Sequence, residues 1–163
     1  MIRRAVAGIA LGASFALLGS GAFTQQGIAN ELFEALNRQR ATENIGALQR
    51  VDSLDRAAFA HAEAMATRDF FSHESPVEGA RTMEDRLRSV DYRFSAAAEN
   101  IAMRTLRGGQ SARSVADAIL AQLTASAGHR RNMMNPTYTE TGVGVAVRGS
   151  RVYAVQLFAA PRR

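Results

Sequence analysis

The segment TGVGVAVRGSRVYAVQLF, residues Thr141 to Phe158, constrains the fold more than any other stretch of the chain. It reads as two strands joined around Gly149-Ser150, the length of a two-residue hairpin turn. Successive side chains of a strand point to opposite faces. Val143, Val145 and Val147 therefore share one face of the first strand, and Gly142, Gly144 and Ala146 share the other. The second strand is apolar on both faces, with Tyr153, Val155 and Leu157 opposite Val152, Ala154 and Phe158. A strand pair that is apolar on both sides has to be covered on both sides. Its glycine face has to admit something close to the backbone.

The preceding sequence supplies the covers. From Ile28 to Gln39, the residues Ile28, Leu32, Phe33 and Leu36 fall on one side of a helical wheel, while Glu31, Glu34, Arg38 and Arg40 form the wet side. A second helix starts at VDSLDRAAFAHAEAMATRDF, with Asp52 or Ser53 as cap and Asp55 in the first turn, near the positive end of the dipole. Its stripe of Leu54, Ala58, His61, Ala62 and Met65 is rich in alanine, which lets another element approach closely. FFSHESPVEG reads as a loop, and TMEDRLRSV as a short helix with Thr82 as cap and Asp85 three residues on. FSAAAENIAM has no clear period and reads as a short extended segment. SVADAILAQLTASAG reads as a third amphipathic helix, with Val115, Ile119 and Leu123 on one side, closing at Gly128. Helices on both sides of a mostly antiparallel sheet make an α/β sandwich of three layers, α-β-α. A length of 163 residues suits one such domain.

The first residues are of another kind. Arg3 and Arg4 precede an uncharged apolar run from Ala5 to Leu18, and small residues follow at Ser20 and Ala22. That is the pattern of a secretory signal peptide, residues 1–22, cleaved near Ala22. The apolar run is shorter than the roughly 20 residues that span a bilayer, so an uncleaved anchor is the alternative and not the expectation. The chain has no cysteine, which excludes disulfides and lipid attachment through a cysteine. All 20 of its basic residues are arginine, interleaved with acidic residues as in EDRLRSVDYR, against a formal charge of +5. No basic run with interleaved aromatics occurs, and nucleic acid is not an expected partner.

Several polar residues do not fit the apolar pattern. His61, in the second helix's stripe, reads as a core histidine with one satisfied nitrogen. His73 follows two phenylalanines in a loop, where burial does not account for it. His129 falls just past an expected helix end, where the dipole favours a cation. Glu99 sits among small apolar residues, either solvated at an edge or held by a buried partner, and Glu140 precedes the glycine strand. Together they offer two imidazoles and two carboxylates at the ends of elements, a set that suits a divalent cation or a proton-sharing network. No HExxH motif, nucleophile elbow, phosphate loop or cysteine nucleophile occurs. Ser126 precedes His129 by three residues without an orienting acid beside it.

The blocks NRQRATENIGALQRVDSLDRAAFAHAEAMATRDFFSHESP, DRLRSVDYRFSAAAENIA and SAGHRRNMMNPTYTETGVGVAV resemble, in order, those of the CAP superfamily. That superfamily includes cysteine-rich secretory proteins, antigen 5 and plant pathogenesis-related proteins, and the resemblance is strongest to its bacterial SCP-like extracellular members. It covers residues 28–158, leaving 159–163 as a tail. It implies the same α-β-α sandwich and a central cleft lined by His73, Glu99, His129 and Glu140. Ala98 stands where a glycine is usual, Leu123 replaces an aromatic, and the cysteine-rich extension of animal members is missing. The resemblance implies a secreted or periplasmic protein whose cleft binds a divalent cation, zinc foremost, through His73 and His129, or a small or lipid-like ligand or protein partner, without turnover. A metal-dependent hydrolase using Glu99 or Glu140 as base is the alternative, so enzymatic activity stays open. A structural polar network with no ligand is the second alternative.

Overall fold

A computed structural model describes residues 24–162, and the leader-like segment at 1–22 lies outside them. Four strands form one sheet: β1 (Gln49–Arg50), β2 (Phe94–Thr105), β3 (Glu140–Arg148) and β4 (Arg151–Pro161), in the order β1-β3-β4-β2. The two-residue β1 runs parallel to β3, and the other pairings are antiparallel. The hairpin is as the sequence predicts, with Arg148 opposite Arg151 and Gly149 at φ +58° in the turn. β2 is not short: it has twelve residues, and all but Ser95 pair with β4, with a register shift between Phe94 and Ala96. Residues 159–161, expected in a tail, belong to β4 because Ala159, Ala160 and Pro161 face Ala97, Ala96 and Phe94.

Helices cover both faces. On one lie α1 (Gln25–Thr42), α4 (Ala112–Thr124) and α5 (Ala127–Met133), whose Ile28, Leu32, Leu36, Val115, Ile119 and Leu123 pack on Val143, Val145, Val152 and Phe158. On the other lie α2 (Asp52–Arg68) and α3 (Met83–Ser89), whose Leu54, Ala58, Ala62, Met65 and Leu87 meet Ala146, Tyr153, Val155 and Leu157. Among the described residues no helix is long and apolar enough to cross a membrane.

Caps explain some of the boundaries. Thr82 and Asp85 form a reciprocal capping box at the start of α3, as their spacing predicts. At α2 the cap is Val51, which offers no side-chain oxygen; Asp52 and Asp55 lie in the first turn. Asp55 is used elsewhere, accepting the Val143 amide of β3 at 2.8 Å and the Arg50 guanidinium at 2.7 Å. The expected single helix up to Gly128 is two. α4 ends at Thr124, and α5 starts again at Ala127 with Ser126 in the cap position. Gly128 is thus inside a helix and does not cap one.

Arg40, expected on the wet face of α1, is only 1% exposed. Its guanidinium donates to the carbonyls of Gly46, Met133, Asn135 and Tyr138 at 2.7 to 3.3 Å. It thereby joins α1 to the C-terminal end of α5 and the loop into β3, where carbonyls left free by the helix need donors.

The glycine face of β3 is where the layers come closest. A Cβ added to Gly144 would lie 2.1 Å from the Phe59 nitrogen, and one on Gly142 would lie 2.1 Å from the Leu54 carbonyl carbon. Both obstacles are helix backbone and cannot swing aside, so α2 rests directly on the strand. Gly144→Ala is expected to cost about 3 kcal/mol or more, because α2 has to lift off the sheet. Urea unfolding monitored by circular dichroism measures that loss. A variant as stable as the parent would show that α2 does not need the bare backbone.

Candidate functional site

β2 is an edge strand, and its adjacent residues Glu99 and Asn100 point to opposite faces. Glu99 turns toward the α2–α3 layer, where its carboxylate is almost wholly buried. Oε2 accepts from Arg86 of α3 at 2.6 Å, and Oε1 accepts from Nδ1–H of His73 at 2.9 Å. His61 of α2 comes within 3.9 Å of Oε1 while its Nε2–H donates to the Ser72 carbonyl at 3.0 Å. His61 is therefore a core histidine with one nitrogen satisfied, as its place in the apolar stripe predicts; its Nδ1 has no partner among the described residues. His73 is different, with a side chain 57% exposed. Because a carboxylate can only accept, the bond to Glu99 puts a proton on His73 Nδ1, so that in the neutral ring the Nε2 lone pair is open.

Asn100 faces the other layer. Its Nδ2 donates to the His129 carbonyl at 3.1 Å and lies 3.3 Å from Gln156 Oε1, while its Oδ1 accepts from Asn132 at 2.9 Å. Asn132 and His129 both belong to α5, so this amide network fixes α5 against the sheet edge. His129 lies in the first turn of α5 and not past a helix end, which removes the dipole argument for its charge. Burial first, and the charge of the nearby His73 second, hold its pKa below the usual imidazole value. One imidazole from each helical layer thus comes to the β2 edge, held through Glu99 and Asn100.

Glu140 does not share that hydrogen-bonded group. It opens β3 and pairs with Ala159, which pairs in turn with Ala97, placing it two strands in from the edge. Its Oε2 accepts the Tyr92 hydroxyl at 2.6 Å. Burial foremost, and this bond next, push the Tyr92 phenol well above its ordinary value. Glu140 thereby ties the loop after α3 to the sheet. Among the described residues no three His, Cys, Asp or Glu side chains come together in a group able to hold a metal. The sequence reading missed Arg86, Asn100 and Asn132. An acid and an amide side by side in the apolar run AAAENIA were the available sign that buried partners had to exist.

The electrostatics make the site acid-sensitive. Burial opposes ionisation of Glu99, but the His73 hydrogen bond and the charge of Arg86 outweigh it, so its pKa lies below the usual carboxylate value. Burial keeps His61, like His129, below the ordinary imidazole value of 6.5. All three shifts have the same sign: the folded state binds fewer protons than the unfolded one, so acid destabilises it. The melting temperature is expected to fall as pH drops below 6.5, through the histidines, and further below 4.5, through Glu99. His61→Gln, which keeps a donor for the Ser72 carbonyl, should flatten the first decline. Glu99→Gln should reduce the second, leaving the part due to the capping carboxylate Asp85, and cost about 3 kcal/mol at neutral pH, because Arg86 is left buried without its counter-charge. Scanning calorimetry across pH checks this, and parallel curves for all three proteins would refute it.

Comparison with known proteins agrees with this architecture. The family model for the cysteine-rich secretory protein family, CAP, matches residues 33–158. The chain is 31% identical over 120 residues to the Bacillus subtilis protein YkwD, covering 74% of this chain but 43% of that protein. It is 30% identical to an extracellular protein containing an SCP domain from Bacillus anthracis, with a TM-score of 0.66 over 83% of this chain and 41% of that one. An outer surface protein from Borrelia burgdorferi shares the fold at 18% identity, with a TM-score of 0.69 over 85% of this chain and 96% of that one. The chain therefore spans less than half the length of the first two. On the family match and the shared layered sheet, this chain belongs to the cysteine-rich secretory protein (CAP) family.

Proposed function

We propose that this CAP domain works outside the cytoplasm as a binding module that holds a divalent cation, zinc foremost, between His73 and His129. The observation that carries this reading is the Glu99 hydrogen bond to His73 Nδ1, which leaves Nε2 as a free ligand atom. A carboxylate behind an imidazole is the usual support for a metal-binding histidine, since it fixes the tautomer and raises the basicity of the ligand nitrogen. His129 suits the same role, because its lowered pKa keeps the ring neutral and its lone pair available near neutral pH. Two imidazoles leave coordination positions for solvent or for an oxygen of a small ligand, and a cation there would supply Lewis acidity. Export is supported by the leader-like residues 1–22 and by the descriptions extracellular and outer surface for the Bacillus anthracis and Borrelia proteins.

Binding without turnover is favoured by the state of the carboxylates. A metal-assisted hydrolysis needs a base able to take a proton from water. Glu99 is committed to Arg86 and His73, and Glu140 to Tyr92. A purely structural network is disfavoured by the exposure of His73, whose ring could be lost with little effect on packing.

Calorimetric titration of the metal-free protein with zinc is expected to give saturable binding that His73→Ala and His129→Ala each abolish. Metal-free His73→Ala should lose about 1 to 3 kcal/mol, because the buried Glu99 carboxylate loses the donor to its Oε1. Glu99→Gln should retain binding but weaken it by about 10-fold or more. Unchanged zinc affinity in both histidine variants would sink the reading.

A further inference from the structure

His73 is exposed, yet the backbone on either side of it is held from the interior. Its own carbonyl accepts from both terminal nitrogens of Arg86 at 3.2 Å. The carbonyl before it, of Ser72, accepts from Nε2–H of His61 at 3.0 Å. With Glu99 accepting from the ring, side chains of β2, α2 and α3 together fix one residue of a loop. Glu99 and Arg86 form a buried ion pair, and each needs the other. His61 has no such obligation, since its Nε2 lies 3.9 Å from Glu99, beyond hydrogen-bond distance.

The other surroundings of His61 give an imidazole no task. The residue is 1% exposed in a stripe made by Leu54, Ala58, Ala62 and Met65, and the Phe70 ring lies 6.0 Å away between centroids. Its Nδ1 meets no partner among the described residues. Taking a polar nitrogen out of water without a hydrogen bond is unfavourable, and a leucine would fill the stripe without that penalty. Ser72 lies in an exposed stretch, Phe71 to Glu74, where water offers peptide groups a substitute partner. What water cannot do is hold the Ser72 carbonyl in one place.

We infer that His61 is a positioning residue: it fixes the Ser72 carbonyl so that the next residue, His73, presents Nδ1–H to Glu99 and Nε2 to a cation. The cation rests on the zinc reading above; the ring orientation does not, because it is set in the metal-free protein. An imidazole buried with one nitrogen unpaired is then stability given up for geometry, as a ligand held on a loop requires.

The test compares His61→Leu, which keeps an apolar volume and removes the donor, with His61→Gln, whose amide group supplies a donor at similar reach. Calorimetric titration with zinc is expected to show His61→Leu weakened by about 10-fold or more, the usual effect of removing the support behind a ligand, and His61→Gln within about threefold of the parent. The ¹⁵N shifts of the His73 ring in the metal-free proteins are expected to show Nδ1–H in the parent and in His61→Gln, and a mixture of both tautomers in His61→Leu. Metal-free His61→Leu should melt within about 4 °C of the parent at neutral pH, which separates positioning from loss of the fold. A parent protein that takes up no zinc would remove the metal reading and leave the tautomer test of His61 intact. The role is overturned if His61→Leu keeps the parent's zinc affinity or its single His73 tautomer, or if His61→Gln loses as much as His61→Leu. It is equally overturned if His61→Leu melts further below the parent than that margin, since His61 would then be a core residue and nothing more.

Discussion

Arg86 and Glu99 meet at 2.6 Å with side chains 3% and 4% exposed, and taking two charges out of water costs several kcal/mol that attraction recovers only in good geometry. Backbone takes the other donors of the two terminal nitrogens of Arg86, while its buried Nε has no partner among the described residues. The Arg86 guanidinium also donates to the carbonyls of His73, Ala80 and Arg81, which fastens both ends of the loop between α2 and α3. Glu99 in turn orients His73 and lies beside His61. One ion pair therefore fixes a strand, a helix, a loop and the tautomer of an exposed histidine. Without it the loop would lose its anchor, and the His73 ring its reason for facing one way.

The position of Glu99 on an edge strand is what lets its partner His73 reach solvent while the ion pair itself stays buried. A side chain in mid-sheet, such as Leu157 beside it on β4, is covered by a helical layer. β2 has a partner on one side only, so groups from both layers can come round its free edge. Adjacent residues on a strand face opposite ways, and Glu99 and Asn100 use that alternation to hold one histidine from each layer. Glu99 grips a side chain directly, whereas Asn100 grips the α5 backbone. Arg40 supports the same helix from its other end by binding the Met133 carbonyl. The placement of His129 thus depends on two buried polar anchors that bear no relation to each other in sequence.

Much of the fold was legible because period and composition agree. The hairpin is apolar on both faces and has glycines on one, and these features required two helical covers, one of them in backbone contact. Gly142 and Gly144 under α2 meet that requirement. The α4–α5 break was not legible, because Val115, Ile119 and Leu123 keep a helical period up to the break and Gly128 looks like a terminator. The true terminus at Thr124 has no glycine or proline beside it. β2 looked short because its alanines have little strand propensity; twelve residues hold there through pairing with β4, a tertiary effect. Arg40 was assigned to water by its charge, and nothing local reveals that four distant carbonyls need its donors.

The site shows the same division between local and tertiary information. His73, Glu99 and His129 stood out because each is polar where the local pattern gives no reason for it. Glu140 stood out on the same grounds, yet it serves a different bond, to Tyr92. What separates these cases is strand register, which puts Glu140 opposite Ala159 and two strands from the edge. Register follows from the length of the hairpin turn and of β4, and neither can be weighed against a single glutamate read in isolation. An anomalous polar residue in sequence therefore indicates that a partner exists. Only the pairing of strands decides whether two such residues share one.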